Sequence, residues 1–327
     1  MTIEEFFINI IFTADFVRMC LRITTPILLA ALGAIIFDRS GILNIGIEGI
    51  MLLSALTGVL VSAKAQSWVL GLLCAIMCAV FISLVYGYCV LRLKTPRALC
   101  SLAINAFGAG GSVFILYLVT GQKGNTASLA SISIPAIEIP YIKDISIIGA
   151  ILSGHNVVTY LAFISIFLVW FLLFKTPLGL RMRAVGENPD AAQSVGIDEH
   201  RIKYIALMLS GVLIGASGAF MSMGYMNYFV RDMTAGRGFI ALAAEATGRA
   251  TPIGTALSAL LFGFMGSIAT ATQSFNIPGE ILSMIPYVTT LFALAMYGML
   301  TERTRKKVSS ICNREGTKVD VKGKNTK

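Results

Sequence analysis

Eight stretches of this chain are long and apolar enough to cross a lipid bilayer, and that repetition constrains the fold more than any motif. A helix rising about 1.5 Å per residue needs roughly 20 apolar residues to cover the hydrocarbon layer. Such stretches lie near 16–37, 47–63, 69–91, 98–120, 157–174, 204–222, 254–273 and 281–300. In hydrocarbon every backbone N–H and C=O must find its partner inside the protein, so the expected fold is an all-α polytopic membrane bundle. Composition points the same way. Of 327 residues, 56% are hydrophobic and 13% charged, where a soluble domain carries about 25% charged residues. Disorder, a collagen repeat and a disulfide scaffold are excluded on the same grounds.

The net charge of +9 is unevenly placed. Residues 301–327 hold nine basic and three acidic residues and so account for +6 of it. No folded basic domain exists to carry nucleic acid. A basic tail after an apolar segment marks the cytoplasmic side. So do Arg92, Lys94 and Arg97 after the third stretch, and Lys175, Arg181, Arg183, Arg201 and Lys203 between the fifth and sixth. Counting back places the N-terminus outside, which suits Glu4, Glu5 and Asp15; its acidic start, MTIEEFFINIIF, does not read as a signal peptide. Counting forward, eight crossings would leave the tail outside. The short apolar run 238–248 is therefore expected to cross as well, with help from neighbouring helices. The loop 121–156 falls on the outer side. The chain divides into a membrane domain, 1–300, with a cytoplasmic loop at 175–203, and a basic cytoplasmic tail, 301–327.

Two segments break the apolar pattern. DRSGILNIGIEG (38–49) carries Gly41, Gly46 and Gly49, with Asn44 and Glu48 four residues apart. GRGFIALAAEATGRATP (236–252) carries Gly236, Gly238 and Gly248 around a lone Glu245. Glycine-interrupted apolar segments in the two halves of a chain point to a transport pathway. A carboxylate at membrane depth is costly and functional by default. For Glu48 and Glu245 the alternatives are capping or pairing with backbone N–H groups, Asp38–Arg39 or Arg249, contact with a solute, or proton relay. Asn105 in SLAINAFGAGGSVF is the other polar residue within a span. It serves either an interhelical hydrogen bond or a solute.

The loop 175–203 contains a short helix with clear end signals. Asn188 suits the N-cap and Pro189 the first turn. Asp190 favours the positive helix end, Gly196 fits the stop, and Asp198 caps the next helix. About two turns of helix are marginal alone and need a surface to dock on. The six cysteines, Cys20, Cys74, Cys78, Cys89, Cys100 and Cys312, read as packing residues. Cys74 and Cys78 share a helical face, but no His or carboxylate joins them to make a metal site. His155 and His200 read as solvated or capping residues. The chain has no phosphate-binding P-loop, so any ATP hydrolysis belongs to another subunit.

Four segments carry a family resemblance: SGILNIGIEGIMLLSA (40–55), LAINAFGAGG (102–111), GLRMRAVGENPDAAQSVGI (179–197) and GRGFIALAAEATGRATPIGTALSALLFG (236–263). In this order they resemble permease subunits of bacterial ABC importers of the branched-chain amino acid and ribose class, most closely the nucleoside and simple-sugar subgroup. The resemblance runs from about residue 25 to 300. It implies a type II importer permease of two pseudo-repeated halves with broken helices, usually about ten membrane segments, in a bacterial inner membrane. It places Asn44, Glu48, Asn105 and Glu245 along the solute pathway. It makes Gly186, Glu187, Asn188, Pro189, Asp190, Ala191, Ala192 and Gly196 the coupling element toward an ATPase. The implied partners are a second, non-identical permease, a cytoplasmic ATPase that carries ATP and Mg, and a Bmp-type substrate-binding lipoprotein. The chain itself would need no cofactor and perform no chemistry. Purine nucleosides are the first expected solute, with ribose-like sugars and riboflavin as alternatives. An ion-coupled secondary transporter is the rival class.

Overall fold

A computed structural model describes residues 13–137 and 153–272, with isolated positions between 288 and 299. The segments 1–12 and 138–152, most of the stretch 281–300, and the basic tail lie outside the described residues, as does Cys312. Twelve short or long elements are described. The helices are α1 (Ala14–Arg39), α2 (Ile47–Ala65), α3 (Trp68–Gly87), α4 (Arg97–Thr120), α5 (Val157–Lys175), α6 (Pro177–Glu187), α7 (Pro189–Ser194), α8 (Glu199–Ala219), α9 (Arg237–Thr247) and α10 (Pro252–Thr272). Single wide turns continue α3 through Arg92 and α8 through Tyr225. Two short strands, β1 (Ala136–Ile137) and β2 (His155–Asn156), pair antiparallel.

Seven helices are long and apolar enough to cross a membrane. They coincide with the first seven apolar stretches of the sequence. The protein is a multi-pass helical membrane protein. At the centre is α1, whose most apolar window is 89% buried. It packs against α8, α9 and α10, and α8 packs in turn against α2 and α3. By contrast α4 buries 17% and α3 22% of the corresponding window. Their outward residues, such as Phe81, Phe107, Phe114 and Leu118, are large, apolar and exposed. Pro26 sits inside α1, and the Ser217 hydroxyl donates to the Pro26 carbonyl at 2.7 Å.

The bundle has two ends. At the first, Arg18 of α1 donates to the Ser153 carbonyl, and Ile134 N–H donates to the Met223 carbonyl. There too, Thr126 and Phe229 exchange hydrogen bonds. At the second end, Gly186 of α6 packs directly on the Arg39 carbonyl and Gly41. The chain from Phe229 to Ala250 joins these ends, because Ala250 and Arg249 accept hydrogen bonds from Arg39. The charge pattern leads to the expectation of a crossing here. In the structure the run 238–248 falls on α9, which is about 16 Å long, roughly half the hydrocarbon thickness, and is preceded by consecutive tight turns over residues 231–236.

Of the two expected roles for His155, solvated or capping, the structure excludes the first. The residue is 8% exposed, pairs within the small sheet, and sets its ring edge-on to Tyr160. The sheet joins residues 136–137 to the start of α5. His200 is exposed at the start of α8, as expected.

Candidate functional site

The chain does not pass directly from α1 to α2. After Ser40 and the left-handed Gly41 (φ 76°), residues 42–46 run non-helically back into the bundle. Such backbone is tolerated at membrane depth only where protein supplies its hydrogen bonds. Here α3 and α4 do so. The Tyr86 hydroxyl donates to the Leu43 carbonyl at 2.7 Å. Ile45 N–H donates to the Ser101 hydroxyl at 3.1 Å. Asn105 makes two bonds at once: its amide nitrogen donates to the Ile45 carbonyl at 3.0 Å, and its Oδ1 accepts from Gly49 N–H at 2.9 Å. It thus joins the last open carbonyl of the broken segment to a first-turn N–H of α2, one of those that helix geometry leaves unpaired.

Close approach makes this possible. Gly49 and Gly108 meet backbone to backbone, and a Cβ on either would overlap the facing chain. Ser101, Asn105 and Gly108 lie on one face of α4 at helical spacing. That signal was present in the sequence, but only Asn105 stood out as a polar residue.

Asn44 lies in the same joint and is 1% exposed. Its Oδ1 accepts from Gly46 N–H at 2.8 Å and from the Ser101 hydroxyl at 3.3 Å. Its amide nitrogen has no hydrogen-bond partner among the described residues.

Glu48, in the first turn of α2, reaches across to the other broken segment. Its two carboxylate oxygens accept from Gly236 N–H at 2.7 Å and from Gly238 N–H at 2.6 Å. The carboxylate therefore sits between two helix N-termini, those of α2 and α9. Both carry partial positive charge from their aligned peptide dipoles. This offsets the cost of burying the carboxylate, which is 7% exposed as a residue. Gly238 is required by proximity: a Cβ there would lie 2.8 Å from both the Cα and the N of Glu48.

The structure thus gathers Asn44, Glu48 and Asn105 into one joint. Glu245 is elsewhere. It lies two turns along α9, 9% exposed, near the Asp38–Arg39 end of α1. Among the described residues no group of three His, Cys, Asp or Glu could hold a metal ion.

The loop at the second end is built as its end signals indicate. Asn188 Oδ1 accepts from Ala191 N–H at 3.1 Å, Pro189 opens α7, and Asp198 Oδ1 accepts from Arg201 N–H at 3.1 Å. Gly196 has φ 82°. Within α7, Ala192 is buried and Ala191 exposed. Gly186 is half-buried and packs on the Arg39–Gly41 end of α1, so α6 rests on the end of the central helix, and α7 packs against α6 and α8.

A central, deeply buried helix is flanked by two interrupted segments joined by side-chain to backbone bonds, within a bundle of seven helices long and apolar enough to cross a membrane; this is the architecture of a polytopic membrane protein. The sequence places it further. Residues 17–295 match the family described as branched-chain amino acid transport system, permease component, and the chain belongs to that family. It is an ABC transporter permease subunit.

It is 35% identical over 281 residues to the guanosine ABC transporter permease protein NupQ of Bacillus subtilis, covering 82% of this chain and 87% of that one. It is 33% identical over 286 residues to the nucleoside ABC transporter permease protein NupC of Lactococcus lactis, covering 84% and 89%. It is 23% identical over 285 residues to the glucose ABC transporter permease protein TsgB13 of Haloferax volcanii, covering 82% and 73%.

Proposed function

We propose that this chain is one permease of an ATP-driven, binding-protein-dependent importer of purine nucleosides. The observation that carries the reading is its similarity, over most of both chains, to permeases named for guanosine and for nucleosides. The second end of the bundle is the cytoplasmic side, which the basic residues of the 175–203 loop support. A lipoprotein of the Bmp type delivers solute at the first end. That end carries a cavity of about 640 Å³ lined by Asp15, Arg18, Arg22, His155, Tyr225 and Tyr228. Its cationic side chains suit an acidic face on the delivering protein.

On the cytoplasmic side, residues 186–196 couple to an ATPase that holds ATP and Mg. Beside α7 a groove of about 400 Å³, lined by Arg181, Val195, Gly196, Asp198 and Arg201, offers it a seat. Motion of α7 passes through Gly186 to the end of α1 and from there to the two broken segments. A second, non-identical permease covers the thinly buried faces of α3 and α4. Solute passes the joint around Asn44, Glu48 and Asn105. Asn105 and Glu48 are committed to backbone groups, so the unpaired amide nitrogen of Asn44 is the donor best suited to a base or ribose acceptor. Weak contact suffices, because a transporter must release what it binds.

The test is mass spectrometry of the ligand that copurifies with the associated binding protein, followed by uptake of labelled guanosine into proteoliposomes containing the whole complex. ATP-dependent uptake that unlabelled guanosine competes away, and ribose does not, supports the reading. The glucose permease similarity keeps a sugar as the second reading, and a bound sugar with sugar-competed uptake would establish that instead. Uptake by the chain alone on an ion gradient would overturn the ATP-driven mechanism.

A further inference from the structure

We propose that α9 is a hinged gate in the pathway, latched at both ends by charged side chains from the first half of the chain, and that Arg39 is the positioning residue for its second end. This rests on the permease reading above.

Three observations converge on α9. Its N-terminal amides, Gly236 N–H and Gly238 N–H, are held by the Glu48 carboxylate. The carbonyls just past its C-terminus are held by the Arg39 guanidinium: Nε donates to Ala250 at 3.0 Å and a terminal nitrogen donates to Arg249 at 3.3 Å. An anion at the positive end and a cation at the negative end match the dipole of this one helix. Both come from neighbouring elements rather than from α9 itself.

The connectors supply the third observation. Seven non-glycine residues among those described have positive φ. Five of them flank α9: Asn227 (64°), Asp232 (57°) and Ala235 (43°) before it, Arg249 (58°) and Ala250 (49°) after it. Left-handed backbone at alanine or arginine is strained, and such strain persists only where the surroundings hold it.

A short helix set between strained connectors and fixed by two terminal latches is built to have two arrangements. Its N-terminus is at the joint with Asn44 and Asn105, and its C-terminus is at the end of α1 that α6 touches. Release of either latch lets the connectors relax, and α9 withdraws from the joint.

The experiment is hydrogen exchange of the assembled transporter in lipid nanodiscs, read over residues 230–251, in the nucleotide-free state and trapped with a non-hydrolysable ATP analogue. Exchange of the α9 amides should differ between the two states. Without nucleotide, Arg39→Met should speed exchange in α9 by about ten- to hundredfold, the scale of a charged hydrogen bond. Amides of α2 and α10 should be unchanged, and Arg39→Lys should recover much of the protection. A second variant works in the opposite sense and leaves both latching side chains, Glu48 and Arg39, and the backbone groups they hold in place. Ala235→Gly with Ala250→Gly relieves the strain of the docked arrangement and should slow α9 exchange by about fivefold.

Identical α9 protection in both states of a complex that hydrolyses ATP would overturn the gate. So would loosening of α1, α2 and α10 alike by Arg39→Met, which would make Arg39 a general brace. Failure of nucleoside uptake would refute the solute assignment and leave the exchange result standing.

Discussion

Replacing Asn105 separates its two possible roles, solute contact and interhelical bond. In Asn105→Leu the side chain keeps its approximate volume and loses both bonds, to the Ile45 carbonyl at 3.0 Å and from Gly49 N–H at 2.9 Å. The two groups are four residues apart, and Asn105 bridges them in place of a direct helical bond, because the helical ladder of α2 starts one residue later, at Ile50 N–H to the Gly46 carbonyl. Each group left unpaired away from water costs about 1–3 kcal/mol. Asn105 is only partly buried, so some of that is recovered by water, and a net loss of about 2–4 kcal/mol is expected. For a chain of 327 residues that lowers the apparent thermal midpoint by about 3–6 °C.

The assay is size-exclusion recovery after heating the purified complex, run beside initial uptake rates over a range of solute concentrations. The expected result is a lowered midpoint with a reduced maximal rate, because the joint is loosened and the solute site is not removed. Asn105→Asp is the sharper probe. It keeps an acceptor for Gly49 N–H but sets a carboxylate against the Ile45 carbonyl, and should be at least as damaging as leucine. A normal midpoint with a raised half-saturating concentration in Asn105→Leu would refute the reasoning and make Asn105 a solute contact.

Other expectations follow from the same geometry. Gly238→Ala places a methyl 2.8 Å from the Glu48 backbone, which cannot move aside; it should displace α9 and reduce uptake more than tenfold, with the complex still assembling by native mass spectrometry. Asn188→Ala removes the cap that holds Ala191 N–H, a loss of about 1 kcal/mol; transport per ATP hydrolysed should fall while basal ATPase activity persists. Of the two alanines in α7, Ala191 is exposed and Ala192 buried. Ala191→Asp should therefore weaken ATPase docking with the loop intact, measured by copurification, whereas Ala192→Asp should unfold the loop, measured by limited proteolysis near Arg181 and Arg183.

How much of this was legible in the sequence depends on the range of the interaction. Hydrocarbon demands a fixed length of apolar helix, so α1–α5, α8 and α10 could be read to within a few residues. Helix caps are set by the three or four residues around them, so Asn188, Pro189, Gly196 and Asp198 were readable as a unit. The glycines of both broken segments were visible for the same local reason. The joint itself was not. Glu48 and Gly236 are 188 residues apart, and Arg39 and Ala250 are 211 apart. No local periodicity connects them.

The sequence left Glu48 and Glu245 on equal terms, as isolated carboxylates in apolar surroundings. Packing gives them different partners. Glu48 meets two backbone N–H groups at a helix N-terminus, where a negative charge is stabilised, and Glu245 faces the mixed Asp38–Arg39 end of α1. A rare charge in a membrane chain therefore signals where backbone hydrogen bonding is interrupted. Which charge closes the interruption depends on how the two halves meet. Here they meet through Glu48 and Arg39, one at each end of an 11-residue helix, and that arrangement makes the second broken segment answer to the first.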